Sequence, residues 1–485
     1  MFSSLSRQHL AEFASVAATA LLFQLTIFFI VSQFLSVHGG SIWDILSDNG
    51  RNEYVTLAHS LIAENRFVLV SDIPDTFRTP GYPGLLALLF LLVSDSYMAI
   101  AIMHAVLASI SAALVAFIAQ QLHMTRRFSY VAAALFSLSS GTIFAVVTGQ
   151  GADLMYTCLY VIALTLCITF ACSARPTLVH PLMIGGILGV ATLARPIGIL
   201  GSLPLFAALA VMRRWNSIPD LISSGKYSAL AIGAFLLVIM PWGVRNHLVA
   251  GEFTFSTLPA YNFVFYNIPL AEAFWNDTNE HVVRQSLHES LGNPPMDLLR
   301  NAPYAQQVSG IMKEYIGSHF FSYAFFHTLK MIPFFVGSGL HTLHGALVSE
   351  APSMRLSLFP TDEFNITAAL ISFDWKEVIY IAQRFWLVTA DRLFWVTIFA
   401  FALAAPFLAR GFEQKVLVVI VAIILSNAFL TSPVAHPRYR IPAEPFIWIA
   451  AVYTLYSLTK PRTKDSPILL SAHNNRNTER KIHES

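Results

Sequence analysis

Residues 75–90 read DTFRTPGYPGLLALLF, which places an arginine, two prolines, two glycines and a tyrosine directly before an apolar run. Proline fixes its own φ and pushes the preceding residue toward an extended backbone. Pro80 and Pro83 therefore predict a stiff hinge that turns the chain from a charged edge into the apolar segment. A cationic side chain at such an edge keeps its head in water while its stem lies on apolar surface. The stretch predicts a boundary between water and lipid.

The composition of the whole chain agrees with this interpretation. Of its 485 residues, 55% are hydrophobic and only 12% are charged. Soluble chains carry about 25% charged residues, so this chain has too little polar surface to cover a water-facing globule. The net charge of +2 is too small to indicate nucleic acid binding. We expect an all-α polytopic membrane protein.

The apolar runs set the number of membrane spans. A bilayer core needs about 20 apolar residues per helix, and on that basis we predict about ten transmembrane helices, with nine to about thirteen as the range. Two neighbouring runs are short and are joined at ARPIG, where Pro196 excludes Arg195 from the helical region. That pair predicts a broken or shallow hairpin. The predicted spans are 12–36, 97–120, 128–147, 153–172, 181–194, 196–213, 227–247, 391–409, 415–432 and 440–459.

Short basic clusters predict how these spans are oriented. If the spans alternate, the clusters fall on one side, which the positive-inside rule makes cytoplasmic, together with both termini. The clusters are Arg126, Arg127, Arg175, Arg213, Arg214, Lys226, Arg410, Lys415 and 460–464. The three cysteines, Cys158, Cys167 and Cys172, share one apolar run and indicate neither a disulfide nor a metal framework.

The same alternation divides the chain into four regions. The region 1–247 forms an N-terminal transmembrane module that includes a first outer loop, 37–96. A long outer loop, 248–390, follows, and its apolar run 320–340 predicts a shallow or re-entrant helix. The region 391–460 forms the C-terminal transmembrane helices, and 461–485 is a polar tail predicted to be disordered.

The first outer loop carries an early acid. In SDNGRNEYVTLAHSLIAENRF, Tyr54, Leu57 and Leu61 recur at helical spacing, which predicts an amphipathic helix lying on the membrane. Asp48 precedes this helix, where free backbone N–H groups and the helix dipole favour a carboxylate. A simple N-cap is the alternative role for Asp48.

Charged residues also collect at the predicted outer boundary. Arg78, Arg245 and the pair Arg438 and Arg440 lie there against the positive-inside bias, and binding of a phosphate headgroup would explain them. A snorkelling arginine on a structural hinge is the alternative for Arg78. Asp153, in GQGAD at the outer end of a span, is costly there without a partner. It is predicted to be a second active-site carboxylate, a metal ligand or a helix cap.

These motifs together resemble the C-type membrane glycosyltransferases, the superfamily of protein O-mannosyltransferases and lipid A aminoarabinose transferases. The resemblance rests on RTPGYP after the early acid, GADLMYTCLYVIAL, GGILGVATLARPIGIL, PWGVRNHLVAGEF and HPRYRIPAEPF, in that order. Their order and spacing are similar to the bacterial branch that uses polyprenyl-phosphate sugars.

The resemblance implies that an acid of the first outer loop deprotonates the acceptor hydroxyl. Asp48 matches that acid best, with Asp44 and Glu53 as rivals, because relatives place the acid closer to the tyrosine than Asp48 lies to Tyr54. Aminoarabinose transferases carry a glutamate where this chain has Arg78. A divalent metal is therefore not required, and no other cofactor is indicated.

The resemblance also implies substrate contacts, which we assign to Tyr54, Arg78, Tyr82, Arg245, His436, Arg438 and Arg440, with Asp48 and Asp153 as catalytic candidates. Glu444 is expected to pair with an arginine.

The predicted activity is transfer of a sugar from a polyprenyl-phosphate donor to a hydroxyl acceptor on lipid A or lipopolysaccharide, another envelope glycan, or a protein. The predicted location is the extracytoplasmic face of the bacterial inner membrane, and no nucleic acid partner is expected. A transporter or lipid-linked sugar flippase is the alternative from another class, although such proteins tend to show related halves and midplane sites. A surface polysaccharide ligase or polymerase is the other alternative.

Overall fold

The computed structural model describes residues 7–42, 51–69, 73–149, 151–173, 177–212, 218–251, 253–350, 375–376, 379, 384–434 and 436–460. Within these ranges the chain is built from helices, with one isolated β-bridge between Val68 and Pro74. Seven of the described helices are long and apolar enough to cross a membrane, or eight if one bent pair counts as a single span. The prediction of an all-α polytopic membrane protein is confirmed.

The long apolar helices follow the predicted runs closely. They are α1 (Arg7–Val37), α4 (Tyr97–Gln121), α7 (Asp153–Cys172), α11 (Ile218–Ala250), α19 (Trp386–Leu408), α20 (Gly411–Thr431) and α21 (Glu444–Thr459), the last preceded by a 3-10 turn, Pro437–Ala443. α4, α7 and α21 are largely enclosed by their neighbours, whereas α1, α11 and α19 expose most of their surface. The enclosed helices form the core of the bundle, and the exposed ones face outward, where lipid would lie.

The run 128–147 departs from a single span. It divides into α5 (Arg126–Leu138) and α6 (Ser140–Thr148), which meet at an angle of 48°. The break falls at Ser139, whose ψ of 135° is not helical and whose hydroxyl donates to the carboxylate of Glu444 at 2.6 Å. A polar contact with another helix thus replaces helix continuation at this point.

The pair of short runs also differs from full spans. They form α8 (Val179–Ala194), α9 (Gly198–Gly201) and α10 (Leu203–Val211), all too short to count as crossing helices on their own. Arg195, between them, has an extended backbone with φ −140° and ψ 121°, as Pro196 predicts. These shorter helices account for most of the difference between about ten predicted spans and the seven or eight observed.

The two outer regions contain shorter helices. The first loop holds α2 (Arg51–Glu64), the predicted amphipathic helix, and leads into α3 (Gly81–Leu92). The long loop holds α12 (Leu258–Asn262), a π turn (Phe263–Asn267), α13 (Ile268–Asn276), α14 (Glu280–Ser290), α15 (Met296–Arg300), α16 (Ala302–Leu329), α17 (Ile332–Val336) and α18 (Gly339–Glu350). The apolar run 320–340 is therefore shared by α16, α17 and the start of α18 and does not form one re-entrant helix.

The loop subdomain, residues 253–329, has its own apolar cluster. Phe77 of the first loop inserts into this cluster, and its ring lies 5.4 Å from that of Tyr261, centroid to centroid. Two hydrogen bonds fix the contact: Asn301 Oδ1 accepts from the backbone N–H of Thr76 at 2.8 Å, and Thr257 N–H donates to the carbonyl of Thr76 at 3.0 Å. The two outer regions therefore form one packed unit.

The closest helix packing in the bundle lies between α8 and α11. A Cβ added at Gly185 would come within 2.0 Å of the carbonyl oxygen of Ala231, and one at Gly189 within 2.7 Å of Val238 Cβ. Two glycines four residues apart let helix backbones approach, as in small-xxx-small membrane interfaces. The GGILG segment thus has a packing function.

We predict that Gly185→Ala lowers the free energy of unfolding by about 1–3 kcal/mol, because the new methyl group meets backbone that can only separate the helices. Gly186→Ala is the matched control, since an added Cβ there meets nothing within 4 Å. It should be neutral or stabilising by up to about 1 kcal/mol, the helix propensity difference. Thermal unfolding of both variants in detergent measures the effect, and equal midpoints would contradict the proposed contact.

Candidate active site

The first carboxylate of the candidate site is Glu53, in the first turn of α2. The guanidinium of Arg78 donates to its Oε2 from Nη2 at 2.7 Å and from Nε at 2.8 Å. Arg300, at the end of α15, donates to its Oε1 at 2.9 Å. Both oxygens of Glu53 are therefore engaged by arginine, and Glu53 links the first outer loop to the long one.

Tyr54 lies against the same arginine. Arg78 Nη1 donates to Tyr54 Oη at 3.2 Å, and the guanidinium carbon lies 4.9 Å from the centre of the Tyr54 ring. The Tyr54 ring contacts the edge of Tyr82 at 5.2 Å between centroids. Tyr54 is half-buried, so one part of its surface remains accessible beside Arg78.

Tyr82 is placed beneath the site and not within it. Its side chain is buried, and its hydroxyl lies 2.8 Å from His104 Nε2. His104 Nδ1 lies 3.1 Å from the carbonyl oxygen of Ala145, which can only accept, so Nε2 accepts from Tyr82. The predicted substrate contact of Tyr82 is corrected to a supporting contact with Tyr54, because a buried ring does not reach a ligand.

The second carboxylate is Asp153, the first residue of α7. Its side chain is only 3% exposed, and it is paired on both oxygens: Oδ1 with Arg195 Nη1 and Oδ2 with Arg438 Nε at 3.2 Å. The N-cap position of α7 is occupied by Ala152, so capping does not explain Asp153. The extended backbone of Arg195, imposed by Pro196, leads its side chain to this carboxylate.

The two carboxylates belong to one site because Gly151 brings their partners together. A Cβ added at Gly151 would lie 3.5 Å from Arg438 Nη2 and 3.6 Å from Tyr54 Cε2. Gly151 also has φ +61°, a conformation that side chains other than glycine rarely adopt. We call the assembled group the arginine cluster: Arg78, Arg195, Arg300 and Arg438 with Glu53 and Asp153. Its formal charge is +2, since four guanidinium groups meet two carboxylates.

Arg440 lies apart from the arginine cluster. It is fully buried, donates to the carbonyl oxygens of Gly337 at 3.0 Å and Phe334 at 3.3 Å, and lies 3.6 Å from the centre of the Trp395 ring. Its Nε lies 3.9 Å from Glu444 Oε1, which confirms the expected arginine partner of Glu444. The predicted substrate contact of Arg440 is corrected to an internal ion pair, because its donors face protein on every side described.

Arg245 holds the first outer loop in place. It donates to the carbonyl oxygens of Asp75 at 2.8 Å and Phe67 at 3.2 Å, and its guanidinium carbon lies 4.7 Å from the centre of the Trp242 ring. The predicted role of Arg245 in substrate binding is thereby replaced by a structural role behind the hinge.

His436 lies beside the arginine cluster on the exposed side. Its Nδ1 accepts from the backbone N–H of Arg438 at 3.3 Å and caps the 3-10 turn. This contact fixes the direction in which Arg438 leaves the turn, and the exposed ring leaves His436 able to meet a ligand.

Asp44 and Asp48 lie outside the described residues, which resume at Arg51 with the start of α2. In the described part of the chain, no group of three or more His, Cys, Asp or Glu side chains could hold a metal ion. Both oxygens of Asp153 and of Glu53 are already paired with arginine, so neither acid has a free oxygen for a metal.

Sequence reasoning missed Arg195 and Arg300 as members of the site. The signal for Arg195 was its place directly before Pro196, at the end of an apolar run. Arg300 carried no such signal, because it reaches Glu53 only through the folding of a loop nearly 250 positions further along the chain, a separation of 247.

Comparisons with solved structures give distant similarities. The apo oligosaccharyltransferase of Archaeoglobus fulgidus matches at 13% identity and a TM-score of 0.47, covering 99% of this chain and 53% of that one. The same protein in complex with an inhibitory peptide and a dolichol-phosphate matches at 13% identity and a TM-score of 0.43, covering 95% and 52%. ArnT from Cupriavidus metallidurans, bound to undecaprenyl phosphate, matches at 15% identity and a TM-score of 0.36, covering 91% and 77%.

The chain spans about half the length of the oligosaccharyltransferase it matches. No protein-family model matches the chain, and no curated protein does. The solved structures agree with the resemblance to membrane glycosyltransferases seen in the motifs, but such low scores transfer neither a substrate nor a residue role.

Asp75 adds a buried acid behind the hinge. Its Oδ1 accepts from the backbone N–H of Arg78 at 2.7 Å, and its Oδ2 has no partner among the described residues. Burial raises the pKa of Asp75 from 3.8 to about 6, against the lowering effect of Arg78. The carboxyl thus fixes the backbone of Arg78 at the cost of a desolvated oxygen.

We predict that Asp75→Asn changes how stability depends on pH. Between pH 4 and 6 the folded protein keeps a proton that the unfolded chain releases, so wild-type stability falls as pH rises through this window and levels above it. The asparagine removes this dependence and keeps the acceptor for Arg78. The stability of the wild type relative to the variant should therefore drop by up to about 3 kcal/mol from pH 4 to pH 7. Parallel melting curves across that range would contradict the account.

Proposed function

We propose that this protein is a membrane glycosyltransferase that transfers a sugar from a polyprenyl-phosphate donor to a hydroxyl acceptor. The observation that carries the proposal is the arginine cluster, in which four guanidinium groups from four separate parts of the chain converge with a surplus of positive charge. Arginine presents planar, multidentate donors that suit phosphate oxygens.

The charge of the arginine cluster matches the change that occurs during transfer. The donor phosphodiester carries one negative charge, and the polyprenyl phosphate that leaves takes the electron pair of the broken C–O bond and approaches two. A site with a fixed surplus of positive charge stabilises the leaving group more than the bound donor, which is the condition for catalysis. Such a site achieves this with side chains alone.

The apolar part of the donor also has a surface available. The hinge that positions Arg78 continues into α3, whose Leu88, Leu91 and Leu92 are exposed. We propose that the prenyl chain lies along these side chains while its phosphate contacts Arg78, Arg195 and Arg438. Because Pro80 and Pro83 restrict the hinge, binding has less backbone freedom to remove.

Glu53 and Asp153 are proposed as positioning residues. Both carboxylates hold two arginines each, so their lone pairs are occupied by the donors they orient. Asp153 was predicted to be a catalytic acid or metal ligand, and its contacts favour the positioning role. The proposed base therefore remains Asp48, which precedes α2 and the adjacent Glu53 and Tyr54 in the sequence.

The proposed reaction balances without a further reactant. The acceptor oxygen attacks the anomeric carbon, its proton passes to the carboxylate of the base, and the bond from that carbon to the phosphate oxygen breaks. The products are the glycosylated acceptor, the polyprenyl phosphate and the protonated acid, which returns its proton to water. We propose that this takes place on the extracytoplasmic face of the bacterial inner membrane, with both termini cytoplasmic.

The transporter alternative is less well supported by the geometry. Binding residues of secondary transporters lie near the bilayer midplane between related halves. Here the arginine cluster lies at one end of α7 and is roofed by the packed outer loops. A ligase or polymerase of surface polysaccharide would share the lipid phosphate site but would not need Asp48 as a base.

We predict that Arg438→Gln and Arg78→Lys weaken binding of undecaprenyl phosphate about tenfold or more, since each loses a charge-assisted hydrogen bond or its fork geometry. The measurement is the ligand-dependent rise in melting temperature of purified protein. Undecaprenol, which lacks the phosphate, is the ligand control and should give a smaller rise that the substitutions leave unchanged.

Arg126→Gln is the matched arginine control, because Arg126 lies at the exposed start of α5 in an ion pair with Glu12. It should bind undecaprenyl phosphate as the wild type does. Equal losses in all three variants, or a wild-type response to undecaprenol as large as to the phosphate, would refute the lipid phosphate site.

We predict separately that Asp48→Asn leaves binding of undecaprenyl phosphate intact and lowers sugar transfer by a factor on the order of 10² to 10⁴, the usual contribution of a general base. Asp44→Asn and Glu53→Gln are the comparison variants. Mass spectrometry of lipids and envelope glycans from cells carrying each variant reports the product, and a larger loss with Asp44→Asn would move the role there.

A further inference from the structure

The loop subdomain contains a groove of about 490 Å³ that lies beside the arginine cluster. Its walls come from the segment 253–261, from α15 and from the first half of α16. Arg300 belongs to both sites: it lines the groove, and its Nη1 donates to Glu53 at 2.9 Å. A ligand in the groove would therefore end next to the arginine cluster.

The groove is lined by hydroxyl and amide groups, an aromatic ring and two cations. The neutral polar residues of its lining are Thr254, Ser256, Thr257, Tyr261, Gln306 and Ser309. A wall that mixes hydroxyls and amides with a ring suits the hydroxyl-rich faces and apolar patches of sugars better than a prenyl chain, because the chain would leave these polar groups without partners. The lining thus favours a glycan.

The charge of the groove favours an acidic glycan. Arg300 and Lys313 line it, and none of the described lining residues is an acid. Arg300 already pairs with Glu53, whereas Lys313 is exposed and makes no ion pair with any described residue. The groove therefore has one cation at each end of its charged lining, and only one of them is neutralised.

We propose that this groove is the acceptor site and that the acceptor is a glycan bearing a carboxylate or phosphate group, which contacts Lys313 while a hydroxyl reaches the Arg300 end. This inference rests on the proposed function, because it supplies the second substrate for the same reaction. It assigns acceptor recognition to the long outer loop and donor recognition to the hinge.

Gly310 offers a direct probe of the groove. It lines the groove on α16, is exposed, and an added Cβ meets nothing within 4 Å. Gly317 lies two turns further along the same helix, is equally exposed and equally open, and does not line the groove. A side chain is tolerated at both positions, so the pair separates effects of the groove from effects on the helix.

The experiment places a single cysteine at position 310 or 317 in a full-length protein whose Cys158, Cys167 and Cys172 are replaced by serine or alanine. Labelling rates are measured in detergent with two methanethiosulfonates, one bearing a sulfonate and one a trimethylammonium group. We expect Gly310→Cys to favour the sulfonate reagent about tenfold more than Gly317→Cys does, and Lys313→Gln to remove most of that preference.

The second arm measures protection of Gly310→Cys by two matched pairs of sugars: tetragalacturonate with its methyl ester, and phosphorylated mannopentaose with mannopentaose. At least one acidic sugar should slow labelling several-fold while its neutral partner does not, and the pair that responds identifies the acidic group. Gly317→Cys should show no protection.

Equal reactivity of the two reagents at position 310, or equal effects of acidic and neutral sugars in both pairs, would overturn the acceptor proposal. Neither arm depends on transfer activity. A failure of undecaprenyl phosphate binding with intact sugar protection would instead overturn the proposed function and leave an acidic glycan site, so the two failures are distinguishable.

Discussion

The pairing of one buried carboxylate with two arginines is the constraint on which the rest of the structure depends. Asp153 is removed from water at the start of α7, where an unpaired charge would cost several kcal/mol. Arg195 reaches it from the break between α8 and α9, and Arg438 from the turn before α21. This ion pair network ties the N-terminal and C-terminal halves of the bundle together at one end, and the two arginines keep part of their surface open to a ligand.

The second part of the site is assembled by the outer loops. Glu53 joins Arg78 of the first loop to Arg300 of the long loop, while Phe77 and Thr76 fix the loops to each other through apolar contact and hydrogen bonds. Neither loop forms the arginine cluster alone. The folding of a distant loop is therefore a condition for positive charge to accumulate beside Tyr54, and the groove of that loop opens at the same place.

Periodicity and length predicted most helices because a bilayer requires long apolar runs, and α4 and α7 begin at the predicted residues. The exceptions have local physical causes. The predicted span 128–147 is broken where Ser139 turns toward Glu444, and Gly141 admits that carboxylate because a Cβ there would lie 2.3 Å from Oε1. For the site, the sequence predicted Tyr54, Arg78, Asp153 and Arg438, which charge at a membrane boundary makes conspicuous. It did not distinguish Arg438 from Arg440, since side chains two positions apart face different surroundings that only the packing of α19 determines.

The central claim is that the arginine cluster holds the phosphate of a polyprenyl donor, and the most direct test is an electron cryomicroscopy structure of the protein with undecaprenyl phosphate in a lipid nanodisc. The account predicts phosphate density within hydrogen-bonding distance, about 2.7–3.2 Å, of at least two of Arg78, Arg195 and Arg438, with the chain of isoprene units along α3. Phosphate density at another place, with Asp153 and Glu53 still paired to their arginines and the cluster facing only water, would contradict it.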